Sequence, residues 1–304
     1  MPSVSSLAEA SELLAAATAE CRHVRIGEDL TTDGLSRILE HEAGDLTCTV
    51  EAGVRLSALN ADLARHGQRL SLDPPGDPTI GALLAEAVSG PLRHRFGAPR
   101  DLVLGVTLVL ADGTIANAGG KVVKNVAGYD LARLVCGSRG RLALIARASF
   151  RLHPLPKTSR TLVLETGDPA GAVRALLRSQ LEPSALDVLH PGRVAVLFEG
   201  SPRAVATQVA AARELVGGEE AADEVWQESR DRQGAARGRV RFDPGRLAEA
   251  LADVSEAVVR PVAGVAYVPQ KTPSYNLSQA DGGDAKARLL ARLARSLDPN
   301  GILQ

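Results

Sequence analysis

Glycines between residues 119 and 140 are the feature that most constrains how this chain can fold. Gly119, Gly120, Gly128, Gly137 and Gly140 fall within this short stretch. Each glycine costs conformational entropy on folding and adds no side chain to a core, so packing alone does not account for them. A backbone that lies against a flat ligand is the economical explanation. The stretch therefore predicts a binding site that main chain helps to form.

A proline-rich turn at residues 73–81 is a second candidate. It places Thr79 directly before a helix that is expected to begin at Ile80. The first backbone N–H groups of that helix are expected to be free, the helix dipole favours a phosphate there, and Gly81 allows close approach. An ordinary helix capped by Thr79, with no ligand, explains the same residues.

A basic loop at residues 89–97 is the third candidate. It carries Arg93, His94 and Arg95, and Arg100 follows it. Such side chains could neutralise a pyrophosphate or clamp an acidic partner. A solvated charged loop is equally compatible with the pattern.

Overall charge and cysteine spacing exclude several classes of protein. Lys and Arg number 35 against 36 Asp and Glu, so the net charge of -1 indicates no nucleic-acid partner. Cys21, Cys48 and Cys136 form no CxxC pair, which argues against a disulfide framework or a thiolate-held cluster and favours a reducing cytoplasm. No run of eighteen apolar residues occurs, so membrane contact is expected only through a partner. Rossmann and P-loop motifs are also missing.

Apolar periodicity and turn residues predict alternating helices and strands on both sides of a boundary. His153-Pro-Leu-Pro156 stops helix and central strand alike, which places that boundary after residue 155. The first part is expected to hold a helix capped by Ser6, a strand at 48–53, a helix at 55–66, a hairpin turning at Asp112-Gly113, a helix capped by Asp130 and a strand at 142–152. The second part is expected to hold strands at 161–166 and 193–199 and, on one face, helices at 169–179, 202–216 and 284–297.

An ordered set of short motifs resembles a known flavoprotein family. The motifs are Pro74-Pro-Gly, Thr79-Ile-Gly81, Ser89-Gly90, Gly97-x-x-x-Asp101, Lys124-Asn-Val-Ala-Gly-Tyr-Asp-Leu131 and Gly137-x-x-Gly140-x-Leu142. Together they resemble the FAD-binding domain of the vanillyl-alcohol-oxidase, or PCMH-type, flavoproteins, and within that family the FAD-binding subunits of glycolate oxidases. More diffuse similarity at residues 198–200, 226–230 and 297–301 extends the resemblance over most of the chain.

The resemblance implies an α+β fold and a set of cofactor-binding residues. Residues 1–155 would form a PCMH-type FAD-binding domain of two α+β subdomains, and residues 156–304 a smaller α+β cap domain for substrate or subunit contacts. FAD would lie between the subdomains, attached noncovalently because no His or Cys lies in an obvious flavin-linking loop. The residues expected to bind it are Pro75, Gly76, Thr79, Ile80, Gly81, Ser89, Gly90, Gly97, Asp101, Gly128, Tyr129, Asp130, Gly137, Gly140 and Ile145.

The resemblance also implies a redox function. The chain would be the FAD-binding subunit of an oxidoreductase for a small 2-hydroxy acid such as glycolate or D-lactate, with hydride passing from the substrate α-carbon to flavin N5. Electrons would move on to a homologous catalytic flavoprotein subunit and an iron–sulfur subunit. His153 and His190 are expected to be structural, and neither a catalytic residue nor a metal site is assigned, so catalysis by this chain alone does not follow.

Two departures from the family pattern leave other interpretations open. Residues 24–30 contain Gly27 beside Glu28 and Asp29 where the family usually has a glycine-rich pyrophosphate loop, and carboxylates would repel a pyrophosphate. Arg139 and Ala143 replace residues that in the family permit tight flavin contact. The chain could therefore be a cofactor-poor structural subunit of a flavoprotein complex, or a small-molecule binder unrelated to redox chemistry.

Overall fold

Two large antiparallel β-sheets, each packed against helices, organise the protein. The computed structural model describes residues 2–120, 130–271, 292 and 294–304. All strand pairs within the described sheets are antiparallel, and helices cover the sheets rather than connecting parallel strands. This is the mixed arrangement of an α+β protein.

The helices begin where capping residues and apolar periodicity place them. Ser6, Thr79, Asp130, Asp168 and Ser201 each accept a hydrogen bond from a backbone N–H in the first turn that follows. The helices are α1 (Leu7–Ala19), α2 (Leu56–Ala64), α3 (Ile80–Glu86), α4 (Arg93–Phe96), α5 (Pro99–Leu102), α6 (Leu131–Val135), α7 (Pro169–Arg178), α8 (Pro202–Val216), α9 (Glu224–Ala235) and α10 (Leu247–Ala252). Of the helix predicted at 284–297, residues 292 and 294–297 are described, and they are helical.

The strands form a five-stranded sheet, a seven-stranded sheet and a short pair. The strands are β1 (Ile38–Glu42), β2 (Thr47–Glu51), β3 (Gln68–Arg69), β4 (Val103–Val109), β5 (Ile115–Gly119), β6 (Leu144–Arg151), β7 (His153–Pro154), β8 (Thr158–Glu165), β9 (Ala185–His190), β10 (Arg193–Gly200), β11 (Glu219–Ala221), β12 (Gly238–Arg241), β13 (Ala257–Arg260) and β14 (Val265–Val268). Their order is β1-β2-β6-β4-β5 in the first sheet and β11-β8-β10-β9-β13-β14-β12 in the second, while β3 pairs with β7.

The first sheet holds the core of the N-terminal half. The predicted hairpin joins β4 to β5, with Gly113 at φ +85° in the turn. Phe150 on β6 is fully buried in a cluster that includes Leu59 of α2 and Leu83 of α3. A second cluster packs Leu14 of α1 against this half. Burial of each such side chain stabilises the fold by about 1.5–3 kcal/mol relative to an exposed one.

The second sheet has helices on both faces, which corrects the expectation of helices on one face. Residues of α7, α8 and α10 pack on one face around Phe198. Val225 and Trp226 of α9, with Leu92 next to α4, pack on the other face against Leu189 and neighbouring residues. The sheet is therefore enclosed between its own helices and the N-terminal half.

Direct contacts join the two halves along a seam. Arg69 on β3 makes a bidentate ion pair with Glu199 on β10, at 2.9 and 2.6 Å. Gln233 of α9 donates to the backbone oxygen of Ser89 at 3.0 Å. The C-terminal residues Ile302 and Leu303 also return to the N-terminal half, where they join the cluster around α1. Part of the segment predicted as a cap domain thus packs with the first sheet.

Candidate functional site

A cleft of about 260 Å³ lies beside the first sheet, where three segments of the N-terminal half meet. The segments are the loop at residues 26–33, the start of α3, and the turn that leads into β6. Its lining is both apolar and polar. The lining residues are Ile26, Gly27, Thr31, Thr32, Asp33, Thr79, Gly81, Ala82, Ala85, Glu86, Arg139, Gly140, Ala143 and Ile145.

The start of α3 is fixed by hydrogen bonds to the chain that follows β2. The N–H of Ile80 donates to the Val54 oxygen at 2.9 Å, and the N–H of Gly81 donates to the Ala52 oxygen at 2.7 Å. The next N–H, that of Ala82, donates to Thr79 Oγ1 at 3.3 Å. The prediction that these N–H groups are free for a phosphate is therefore wrong, because protein acceptors already satisfy them.

The acidic loop at residues 24–30 is partly neutralised by its own arginine. Arg25 forms ion pairs with Glu28 at 2.6 Å and with Asp29 at 3.1 Å. The Arg25 guanidinium and backbone hold the pKa of Asp29 below its usual value. One cation faces two carboxylates, so the expected repulsion of a pyrophosphate is reduced and a net negative charge remains on these three side chains.

The turn at residues 137–140 is tied to the end of α3. Gly137 and Arg139 donate backbone hydrogen bonds to Leu84 and Ala85, each at 2.9 Å. Gly140 has φ +77°, and a Cβ there would lie 2.8 Å from the Ile26 Cβ, so only glycine closes this side of the cleft without displacement. The Arg139 guanidinium lies 3.5 Å from the Glu86 carboxylate. These bonds give the cleft a fixed wall.

Open main chain also faces the cleft from the loop at residues 26–33. Gly27 lines the cleft, and a Cβ added to it would meet no atom within 4 Å. The Ser138 hydroxyl, in the turn next to the lining residues Arg139 and Gly140, is buried with no hydrogen-bond partner among the described residues and is not part of the lining. The open main chain at Gly27 leaves room for a ligand beside it.

The structure brings four of the predicted cofactor residues together at this cleft. Thr79, Gly81, Gly140 and Ile145 all line it. Ile80, between two of them, is fully buried in the core behind α3. Gly128 and Tyr129 lie outside the described residues. The remaining predicted residues are not part of the described lining; these are Pro75, Gly76, Ser89, Gly90, Gly97, Asp101, Asp130 and Gly137.

Several predicted residues outside the cleft have clear structural contacts. A Cβ on Gly90 would lie 1.7 Å from the Asp73 oxygen, so this glycine permits the close approach of two loops. Asp101 accepts a hydrogen bond from the Ala98 N–H at 2.8 Å. Asp130 accepts one from the Arg133 N–H at 3.0 Å and caps α6. These contacts explain Gly90, Asp101 and Asp130 by the packing and hydrogen bonding of the protein itself, with no need for a bound ligand.

Ten lining residues were not predicted from the sequence. They are Ile26, Gly27, Thr31, Thr32, Asp33, Ala82, Ala85, Glu86, Arg139 and Ala143. Two sequence signals pointed to some of these residues. Residues 24–30 take the place of the family's pyrophosphate loop and include Ile26 and Gly27, and Arg139 and Ala143 replace family residues that permit tight flavin contact. Thr31 and Thr32 carry no such signal, because none of the family motifs found in the sequence includes them.

The basic loop at residues 89–97 lies at the seam and not in the cleft lining. Arg95 donates to the Glu182 backbone oxygen at 3.2 Å, and Phe96 packs with the cluster around Trp226. Burial lowers the pKa of His94 to about 4, and burial together with Arg151 and other nearby arginines does the same for His153. The His153 ring lies 4.6 Å from the Phe96 ring. Both imidazoles are neutral at pH 7.

Comparison with protein families assigns the segment that holds most of the cleft. Residues 15–119 match the family model described as FAD binding domain. This range is therefore similar to FAD-binding domains. Two of the three cleft segments, 26–33 and the start of α3, lie within the matched range. Most of the cleft thus belongs to the part of the chain that resembles domains with FAD as cofactor.

Curated relatives resemble the chain over more than half of its length. Glycolate oxidase subunit GlcE of Escherichia coli (strain K12) is 35% identical over 201 residues, which are 64% of this chain and 56% of that protein. Glycolate oxidase subunit GlcD of Bacillus subtilis (strain 168) is 36% identical over 172 residues, 54% of this chain and 36% of that protein. The matches therefore span about half of GlcE and about a third of GlcD.

A solved structure shares the fold of this chain over nearly its whole length. The alkyldihydroxyacetonephosphate synthase structure matches with a TM-score of 0.73 at 15% identity, over 98% of this chain and 74% of that chain. At this identity the likeness concerns the fold, and it confirms the predicted α+β class.

Within the described residues, no helix is long and apolar enough to cross a membrane, and no group of three His, Cys, Asp or Glu side chains could hold a metal ion.

Proposed function

We propose that this chain is the FAD-binding subunit of an oxidoreductase that acts on a small 2-hydroxy acid. The observation that carries the proposal is the cleft beside the first sheet, which lies largely in the range that matches the FAD-binding domain and has a wall fixed by backbone hydrogen bonds. Its volume of about 260 Å³ is just below the roughly 300–1,000 Å³ of complete small-molecule sites. The described cleft would therefore hold one part of the dinucleotide.

The charges of the lining indicate which part that is. Asp33 and Glu86 contribute two carboxylates and Arg139 one guanidinium, and the latter two are paired with each other. A pyrophosphate is disfavoured beside the remaining Asp33 carboxylate. A ribose or ribityl hydroxyl could donate to that carboxylate, and the hydroxyls of Thr31, Thr32 and Thr79 can donate or accept. We assign the cleft to an uncharged part of FAD.

FAD supplies the acceptor for a hydride from the substrate α-carbon. The protein residues would bind the dinucleotide, exclude water from the cleft through the buried Ala143 and Ile145 side chains, and orient polar groups toward it. No described imidazole is available as a base in the lining, since His94 and His153 pack at the seam. A base would come from another part of the complex or from the substrate site.

Named relatives support the choice of partners and substrate. Both matched proteins are subunits of glycolate oxidases, so we propose a complex in which a homologous catalytic flavoprotein subunit and an iron–sulfur subunit accept the electrons. The substrate would be an acid of the glycolate or D-lactate type. GlcE and GlcD are matched over only part of their length, so the partners and the substrate are part of the proposal.

Identification of the released cofactor tests the proposal. We expect denatured protein, purified with its genomic neighbours, to release FAD, and the intact complex to lose its flavin absorption when a 2-hydroxy acid is added. The variant Ala82→Trp should lower the bound FAD, because residue 82 is an exposed lining residue of α3 and the added ring enters the cleft. Ala61→Trp, at an exposed position of α2, is the matched control. Absence of FAD from every preparation would refute the proposal.

A cofactor-poor structural subunit is the second candidate function. The net negative lining of Asp33, Glu86 and Arg139 favours it, because no lining cation is left for the pyrophosphate. It predicts a colourless chain that copurifies with a flavin-bearing homologue. Flavin content of the isolated chain therefore separates the two candidates.

A further inference from the structure

Four arginines gather where the second sheet meets the N-terminal half, and we call them the arginine face: Arg93, Arg239, Arg241 and Arg260. In the register of the sheet, Arg239 lies opposite Tyr267, while Arg241 and Arg260 both lie opposite Val265. Side chains in such rows project from the same side of a sheet. The guanidinium carbons of Arg239 and Arg260 lie 5.8 and 5.0 Å from the centre of the Tyr267 ring.

This side of the sheet faces the FAD-binding domain. Val258, in the Tyr267 row, pairs with Leu189, which belongs to the cluster under α9 and next to α4. Arg93 on α4 is close enough for its charge to act on Arg239, Arg241 and Arg260. The charge of Arg139, a lining residue of the cleft, also acts on Arg239. The arginine face therefore adjoins the side of the seam that is nearest the proposed cofactor cleft.

Three of the four charges of the arginine face have no carboxylate partner among the residues that the structure describes, and Arg260 is paired with Asp187. No carboxylate among them forms an ion pair with Arg93, Arg239 or Arg241; Arg93 donates to the Ser89 hydroxyl at 3.3 Å. Burial, with the neighbouring arginines adding to it, lowers the pKa of Arg93. Arginine keeps its proton in proteins, so the charges persist and repel one another.

Arg260 adds an unpaired donor at the base of the face. It is 3% exposed, its Nη2 donates to the Gln233 side chain at 2.7 Å, and its Nε lies 3.6 Å from Asp187 Oδ1. Its Nη1 is buried with no hydrogen-bond partner in the described part of the chain. A buried donor on a cation is costly to leave unpaired, so this group favours an incoming acceptor.

We propose that the arginine face binds the carboxylates of a dicarboxylic 2-hydroxy acid. One carboxylate is satisfied by one guanidinium in a bidentate pair. Arg239 and Arg241 are two residues apart on β12, about 7 Å along the strand, and each lacks a carboxylate partner among the described residues. Two carboxylates on one small molecule would neutralise them, with Arg260 below. The 2-hydroxy acid class rests on the proposed function, whereas the need for two negative charges rests on the arginine face alone.

Calorimetric titration of the full-length protein at about 0.15 M ionic strength tests this. The probes are D-malate, with two carboxylates, and D-lactate, with one. We expect malate to bind at least about tenfold more tightly than lactate. Arg239→Gln and Arg241→Gln, both at exposed positions, should each weaken malate binding by about tenfold or more. Arg174→Gln, which removes the same charge from exposed α7 on the opposite face of the sheet, should leave it unchanged.

Three outcomes would overturn the proposal: equal affinity for malate and lactate, no binding of either, or an equal loss in the Arg174→Gln control. Binding measured this way needs no turnover and no flavin spectrum. A preparation without FAD, or with flavin that no 2-hydroxy acid reduces, would refute the proposed function and leave the titration result readable.

Discussion

The Arg69–Glu199 ion pair is expected to contribute most of the polar stability of the seam. Its two N···O distances are 2.9 and 2.6 Å, and the side chains are 16% and 9% exposed. For charge centres about 4 Å apart at an effective dielectric constant near 20, the attraction is about 4 kcal/mol. Removal of one partner leaves the other charge poorly solvated, so Arg69→Met or Glu199→Leu should each lower the free energy of unfolding by about 3 kcal/mol.

The double variant should be much less destabilised than the sum of the two. Arg69 Nε is already buried without a hydrogen-bond partner, so part of the cost of burying this guanidinium is uncompensated in the native protein. Replacing both charges with apolar side chains removes that cost. We therefore expect a coupling energy of at least about 2 kcal/mol in the double-mutant cycle.

Urea unfolding, followed by the fluorescence of the single tryptophan and by far-UV circular dichroism, measures these changes. Trp226 is a suitable probe because it is buried in the cluster at the seam and donates to Thr161 at 2.8 Å. Arg65→Met is the control, since Arg65 pairs with Asp62 but is 74% exposed, and its loss should cost under about 1 kcal/mol. A coupling energy below about 0.5 kcal/mol would show that the pair does not hold the two halves together.

Two further predictions concern packing and pH. Gly90→Ala should destabilise the protein by about 3 kcal/mol or prevent folding, because the Cβ would lie 1.7 Å from the Asp73 oxygen; Gly44→Ala, with no atom within 4 Å, should be neutral in the same urea assay. Lowering the pH from 7 to 5 should cost about 1–2 kcal/mol of unfolding free energy for each of His94 and His153. Their folded pKa of about 4 lies below the unfolded value near 6.5, so only the unfolded chain gains protons in this window. His94→Gln should flatten the pH dependence, and an unchanged slope would contradict the assignment.

Local signals predicted the helix starts and the hairpin of the first sheet. Thr79 and Asp130 cap α3 and α6 as expected, and Gly113 forms the turn between β4 and β5. These features depend on side chain to backbone bonds over three or four residues, or on the left-handed conformation of one glycine. The ion pairs of Arg25 with Glu28 and Asp29 were not predicted, because residues 25–30 form a turn and not a helix, so their spacing alone does not bring the side chains together.

Features that depend on contacts between distant segments were not predictable in this way. Helix α9 buries Ser229 and Gln233, so it shows no apolar stripe. Those side chains meet Asp187 and Arg260, and Asp187 interrupts the apolar run of β9. Helix α9 and strand β9 were both missed for the same reason. Buried polar side chains that bond to one another replace the apolar residues by which helices and strands are predicted.

The same physics explains why the anion sites were misplaced. The sequence predicted phosphate sites at the first N–H groups of α3 and at the basic loop 89–97. The backbone oxygens of Ala52 and Val54 accept hydrogen bonds from those N–H groups. In the basic loop, Arg95 and Phe96 contact residues of the second half at the seam. Arg239 and Arg241 are without a carboxylate partner among the described residues, and the register of β12 with β14 places them two residues apart on one side of the sheet. Recognition of an acid should therefore be sought at the second sheet, whereas the cleft of the first sheet suits uncharged groups. Because the contacts Arg69–Glu199 and Gln233–Ser89 that join the two halves are between protein groups, we expect loss of FAD to leave the arginine face formed.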